Sequence, residues 1–196
     1  KNLSLFANKH GINTINNFFS ESVAKKISSN YKNKAKIVIN NHSLSNIHNI
    51  NDVIKNVSSI LDKKGIYTIQ TFYTADVLNK KMLENFNHEH LHYFYVTTLD
   101  RIANRHGLEV FKAHHVNAKG GSIRTYVAHK GEFKKHYSFK NFIKKEKRII
   151  KNKALLISIE KFIKNNKREI AKIIKNNKFK KILAYGTSIG ATTFAT

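Results

Sequence analysis

Residues 85–94 read NFNHEHLHYF, with His88, His90 and His92 at alternate positions and Glu89 between the first two. Three imidazoles at this spacing share one face if the segment is a strand, which is a geometry for a three-histidine metal site. An imidazole beside a carboxylate is equally the material of an acid–base centre, because the unperturbed histidine pKa of ~6.5 suits proton transfer near neutrality. A solvated polar strand is the third reading, in a chain that has 11 histidines. Spacing alone leaves all three open.

The chain that carries this segment has 196 residues and a formal net charge of +24, with 41% hydrophobic residues. That is enough apolar material for one or two packed domains, so a disordered tail is excluded. A surplus of lysine favours any anionic partner, whether nucleic acid, lipid or an anionic small molecule. Lysine far outnumbers arginine, asparagine is abundant and proline is absent, a pattern that codon bias also produces. The lysines follow no nucleic-acid recognition motif, so a basic nucleic-acid binder stands as the competing class with no specific nucleic acid expected. No stretch approaches the roughly 18 apolar residues of a membrane span, and no secretory pattern opens the sequence, so a cytoplasmic setting and no membrane partner are expected. Without cysteine, a metal would have to use His, Asp or Glu.

The elements around the histidines alternate. KNLSLFANKHG predicts a short helix stopped at Gly11, INTINNFF a strand, and SESVAKKISSNY a helix capped by Ser20. AKIVIN then reads as a strand, and NDVIKNVSSILDKKG as a helix with apolar positions Val53, Ile54, Val57, Ile60 and Leu61 and a stop at Gly65. IYTIQTF, the histidine segment, VTTLDRIANRHG, LEVFKAHHV and SIRTYVAHKG continue the alternation, the last two joined by a Gly-Gly turn. This order predicts an α/β fold: a mostly parallel sheet covered by helices and closed by an antiparallel hairpin. From about Tyr137 a Lys-rich helical region follows, breaking near Asn152 and ending near Asn177, with Leu155, Leu156, Ile159, Phe162, Ile163, Ile170, Ile173 and Ile174 predicted to form a buried face. A strand and a glycine turn, KKILAYGTSIGATTFAT, close the chain.

Taken in order, GINTINNFFSES, NNHSLSNIHNINDVI, LDKKGIYTIQTFY, HEHLHYF, HGLEVF, GGSIRTYVAHKG and AYGTSIGATT resemble the sugar C-methyltransferases. The resemblance implies a Rossmann-like class I S-adenosylmethionine-dependent methyltransferase domain over 1–132, a helical connector over 133–178 and the start of a second Rossmann-like domain over 179–196. It further implies S-adenosyl-L-methionine as cofactor and a nucleotide-linked keto-deoxysugar as small-molecule partner, methylated at the carbon beside the ketone.

Matched residue by residue, the family's base falls on His90 and the glutamate that orients the site on Glu89, with His88 beside them. The family's tyrosine is replaced by Asn87 and a histidine by Asn46, and both amides can donate to an enolate oxygen without carrying its proton. Gln70 and Phe72 replace the family's acidic residue and proline. Of the family's cofactor site, Phe19 and Ser20 are expected to flank the adenine, with Asn41 after the next strand. The glycine-rich turn and the ribose-binding acidic residue are missing, which reads as a fragment that binds the cofactor weakly or not at all. Tyr93 and Arg124 are expected at the substrate, Arg124 at its phosphate. Gly186, Ser188 and Gly190 form a turn suited to phosphate, although Ile189 stands where the family often has lysine. Phe94, Tyr95 and Phe111 are expected in the core, and His114 and His115 as ordinary strand residues.

Overall fold

A computed structural model describes residues 2–176. The closing strand and the turn with Gly186, Ser188 and Gly190 lie outside the described residues.

The order is α1 (Asn2–Lys9), α2 (Glu21–Asn30), β1 (Ala35–Asn41), α3 (Ile50–Ile60), β2 (Leu61–Phe72), α4 (Thr74–Asn79), α5 (Val96–Arg105), β3 (Leu108–Val116), β4 (Ser122–His129), α6 (Tyr137–Ile150) and α7 (Lys153–Asn176). Short 3-10 turns lie at Leu44–Asn46 and Leu83–Asn85. The chain is α/β, and its four strands run in the order β1-β2-β4-β3. β1 and β2 are parallel, joined through α3, whereas β4 is antiparallel to both β2 and β3. The hairpin therefore folds back, and β4 rather than β3 touches the parallel pair. Its turn, residues 117–121, comes to the carboxyl end of β2, because Ser122 pairs with Phe72.

Burial explains the arrangement. In α3 the apolar residues Val53, Ile54, Val57 and Ile60 recur on one face and all are buried. Val53, Ile54 and Val57 join Tyr67 and Ile69 of β2, Leu99 of α5, Val110 of β3 and Ile123 and Val127 of β4 in one core. Phe94 belongs to it, Tyr95 packs against it, and Phe111 instead stacks on Phe133 at 4.7 Å. Phe139, Phe142 and Ile143 bring α6 down onto the same core.

Four expectations need correction. INTINNFF is not a strand: Ile12 and Phe18 are exposed, no strand pairs with the segment, and the Asn8 side chain takes up the backbone of Thr14 instead. Gly65 does not stop α3. The helix ends at Ile60 with Leu61 already extended, and Gly65 lies inside β2, where a Cβ would come within 2.7 Å of the Ala35 carbonyl oxygen. The histidine segment is a loop with one isolated bridge, Tyr73 to Phe94, so its three imidazoles share no strand face. Lastly, the apolar stripe of α7 is not buried. Leu156, Ile170, Ile173 and Ile174 are exposed, and nearer the domain Lys81 lies over the Phe162 ring at 5.1 Å. The charged face holds itself together through Glu160–Lys164 and Glu169–Lys172 pairs. Among the described residues no helix is long and apolar enough to cross a membrane.

Candidate active site

Parallel strands place their loops at the carboxyl end, where α/β sheets bind ligands. At that end the segment after β1 carries His42, Ser45 and Asn46, and the long loop from Leu83 to Tyr95 lies across it. The strap is made of backbone. The amides of Leu91 and His92 donate to the Ser45 carbonyl at 2.9 and 3.2 Å, and His92 Nε2 donates to the Ile47 carbonyl at 3.0 Å. The far end is pinned by the Thr74 hydroxyl on the Phe94 carbonyl at 2.8 Å.

Within this loop the Asn85 carbonyl accepts two hydrogen bonds, from His90 Nδ1 at 2.8 Å and from the Tyr93 hydroxyl at 2.9 Å. A carbonyl only accepts, so His90 carries its proton on Nδ1 and keeps the lone pair of Nε2 for another partner. Its ring leans on Phe72, centroids 4.3 Å apart. Asn87 lies beside the same ring, Nδ2 to Nδ1 3.2 Å, but with the Nδ1 proton given to Asn85 that contact joins two donors, and the Asn87 amide goes to the Glu84 carbonyl at 3.1 Å. Glu89 and His88 are both exposed. What orients His90 here is the Asn85 carbonyl and Phe72, not the carboxylate of Glu89. His92 is turned to Ile47, and no three His, Cys, Asp or Glu among the described residues are grouped to hold a metal ion.

A cleft of about 410 Å³ opens on the other side of the Ser45–His48 segment, between the amino ends of α2 and α3. Phe19, Ser20 and Asn46 line it, together with Asn49 and Asp52, while Asn41, at the end of β1, does not. Ser20 caps α2 at the Val23 amide, 3.4 Å, and Asn49 caps α3 at the Asp52 amide, 3.3 Å. Asn46 accepts from the Ser45 hydroxyl at 2.7 Å, which leaves its amide hydrogens facing outward. Because Leu91 and His92 hang from Ser45, this cleft and the His90 loop share a wall.

A third group was not legible in the sequence. Arg124 of β4 gives both Nε and Nη2 to the Gln70 side-chain oxygen, at 2.9 and 2.6 Å, so two of the donors expected for a phosphate are already used. The Gln70 amide then faces His42 Nε2 at 3.0 Å. His42 has a left-handed φ of 51°. Its Nδ1 is sealed from water with no protein partner, and its ring stands 6.1 Å from that of Phe72. Burial, and then the charge of Lys119, push the His42 imidazole below the ordinary histidine range and keep it neutral at pH 7. An unpaired buried donor costs roughly 1–3 kcal/mol, and a strained backbone position about as much again.

The Gly-Gly turn has a packing role. At Gly121 a Cβ would come within 2.9 Å of Asp76 Cβ and Cγ, and at Gly120 it would meet the Met82 side chain. Asp76, buried behind the turn, pairs with His115 and with Lys80 at 3.5 Å, so His115 is more than an ordinary strand residue.

Comparison with known proteins accounts for almost all of the chain. Residues 2–113 match the family model of a methyltransferase domain and residues 117–196 that of the C-methyltransferase C-terminal domain. The chain is also similar to the C-methyltransferase NovU of Streptomyces niveus, 29% identical over 128 residues. That alignment takes in 65% of this chain and 30% of the relative, so the chain matches under a third of the relative's length. With the methyltransferase-domain model covering more than half of it and the second model following directly, the chain belongs to the C-methyltransferase family.

Proposed function

We propose that the protein is an S-adenosylmethionine-dependent C-methyltransferase whose substrate is a nucleotide-linked keto-deoxysugar, with His90 as the base. The observation that carries this reading is the tautomer of His90. With Nδ1–H given to the Asn85 carbonyl, Nε2 is left as a basic nitrogen at the carboxyl end of the sheet. A carbon beside a ketone is acidic enough for a neutral imidazole to deprotonate once the oxygen is stabilised.

S-adenosylmethionine, when bound, supplies an electrophilic methyl group. The cleft beside Phe19 and Ser20 suits its adenosine: Phe19 offers an aromatic face, and Asn46, Asn49 and Asp52 offer polar groups to hydroxyls. His90 takes the proton, and the loop strapped over Ser45 holds its imidazole against Phe72 so that Nε2 stays at one place. Tyr93, stacked on Phe86 at 5.1 Å, supports that loop through the shared Asn85 carbonyl. In this reading Asn46, whose oxygen is taken by the Ser45 hydroxyl, donates its amide to substrate, whereas Asn87 is tied to Glu84.

The first half of this chemistry is measurable without cofactor. Incubated in D₂O with a nucleoside-diphosphate 4-keto-6-deoxysugar, the protein is expected to exchange the hydrogen beside the ketone for deuterium. His90→Ala should slow this ~10²- to 10⁴-fold with unfolding by urea unchanged. Equal exchange by the variant would remove His90 from the role of base.

A further inference from the structure

We propose that His42 is the donor that holds the substrate's carbonyl oxygen as negative charge builds on it, and that Gln70 and Arg124 are positioning residues that decide which of its nitrogens carries the proton. The proposal rests on the C-methyl-transfer reading above.

Three links lead to it. A guanidinium has only donors, so the Gln70 oxygen must face Arg124 Nε and Nη2, and the orientation of the Gln70 amide is fixed. Its nitrogen therefore points at His42 Nε2, and an amide nitrogen only donates, so Nε2 accepts. A neutral imidazole that accepts at Nε2 carries its hydrogen on Nδ1, and that atom is the one with no partner in the protein. The chain of contacts thus ends in an N–H bond aimed at nothing, on a residue bent into left-handed backbone at the end of β1.

Its neighbours give the free donor a use. The Phe72 ring lies 4.3 Å from that of His90 and 6.1 Å from that of His42, centroid to centroid, so base and donor neighbour the same aromatic ring. The Nδ1 edge is closed to water, which keeps the donor strong. Lys119 lies close enough for its charge to act on the His42 ring. In the reaction His90 Nε2 takes the proton from the carbon beside the ketone, and the C–H electron pair becomes a C=C bond. The carbonyl π pair moves to oxygen, and that oxygen accepts from His42 Nδ1–H without removing its proton. When the carbon bonds to the methyl group, the S–CH₃ pair leaves on sulfur and the carbonyl re-forms.

Two measurements decide the matter. In ¹⁵N spectra of imidazole-labelled protein at pH 7.5, His42 is expected as the Nδ1–H tautomer, the less common form in water, and Gln70→Leu should return it to Nε2–H. Nε2–H in the native protein would overturn the relay. In the D₂O exchange of the 4-keto-6-deoxysugar, His42→Phe is expected to lose about 10²-fold. His42→Asn, whose Nδ2–H sits where imidazole Nδ1–H does and which tolerates left-handed backbone, should recover at least a tenth of the native rate. His42→Gln, with its N–H one bond too far, should not. Exchange unaffected by His42→Phe, while His90→Ala still abolishes it, would overturn the donor and leave the base standing. No exchange by the native protein would overturn the proposed function and the donor role with it, while the tautomer would still decide the relay.

Discussion

Glu146 lies in a Lys-rich stretch, KKEKR, yet its carboxylate is wholly buried. Its two oxygens accept from the Val96 amide at 2.7 Å, the Thr97 amide at 2.9 Å and, closely, from the Thr97 hydroxyl. These amides open α5, and no side chain within α5 caps them, so α6 supplies the anion that the positive end of α5 needs. Glu146→Gln changes little in volume but leaves one oxygen for two backbone amides. One buried amide loses its acceptor, at roughly 1–3 kcal/mol, and the charge–dipole attraction is lost, at up to ~2 kcal/mol. Together the expected loss is about 2–4 kcal/mol, which for a chain of this size lowers Tm by on the order of 5–15 °C. Urea titration followed by circular dichroism measures the first quantity and a thermal scan the second. A loss under ~0.5 kcal/mol, the range of ordinary surface substitutions, would refute the view that Glu146 caps α5.

Two glycines, one in the hairpin turn and one between α5 and β3, should separate by surroundings. Gly121→Ala forces a Cβ onto Asp76 at a φ of 141° and should cost roughly 2–4 kcal/mol, whereas Gly107→Ala, at a φ of 75° with nothing within 4 Å, should cost only about 1–2 kcal/mol in the same urea titration. Similar losses at both would mean that crowding by Asp76 plays no part. His42 and His114 are both held below the ordinary histidine range by burial first and by neighbouring cations second. The unfolded chain therefore takes up their protons at a higher pH than the folded one, so stability is expected to fall as pH drops below ~6.5. Glu109 acts in a lower window: burial pushes it up, but the Gly131 amide and Lys135 outweigh that and hold it below the ordinary range, so its contribution is lost as pH falls through that lowered value. Urea midpoints at pH 7.5 and 5.5 test the histidines, and a midpoint that rises on acidification would reverse the sign.

Local rules made most of the elements legible because they report burial, which is repetitive. The apolar spacing of α3 survives in the fold since Val53, Ile54, Val57 and Ile60 are all buried, and Ser20 caps α2 because its side chain reaches the Val23 amide. The same rules failed where an element needs a neighbour. Ile12 and Ile15 have the residue types of a strand, but no other strand pairs with them, and the stripe of α7 has the right period while Ile170 and Ile174 stay exposed. Gly65 looked like a helix stop because glycine commonly is one, whereas its cause is the Ala35 carbonyl across the sheet.

The chemistry divides along the same line. His90 could be singled out because its segment is dense in histidine and resembles a family motif, and the contact that sets its tautomer comes from five residues away. His42 offered no such sign: its state depends on Gln70, 28 residues on, and on Arg124, 54 residues beyond that, brought together only by the pairing of β2 with β4. Glu146 likewise acts 49 and 50 residues away from itself. A sequence shows where imidazoles and carboxylates are, but protonation and capping depend on which acceptor or donor the sheet sets opposite them. Residues whose role is fixed across the sheet are therefore the ones that motif reading misses, and in this chain they include His42, whose ring lies 6.1 Å from that of Phe72, the ring on which His90 leans.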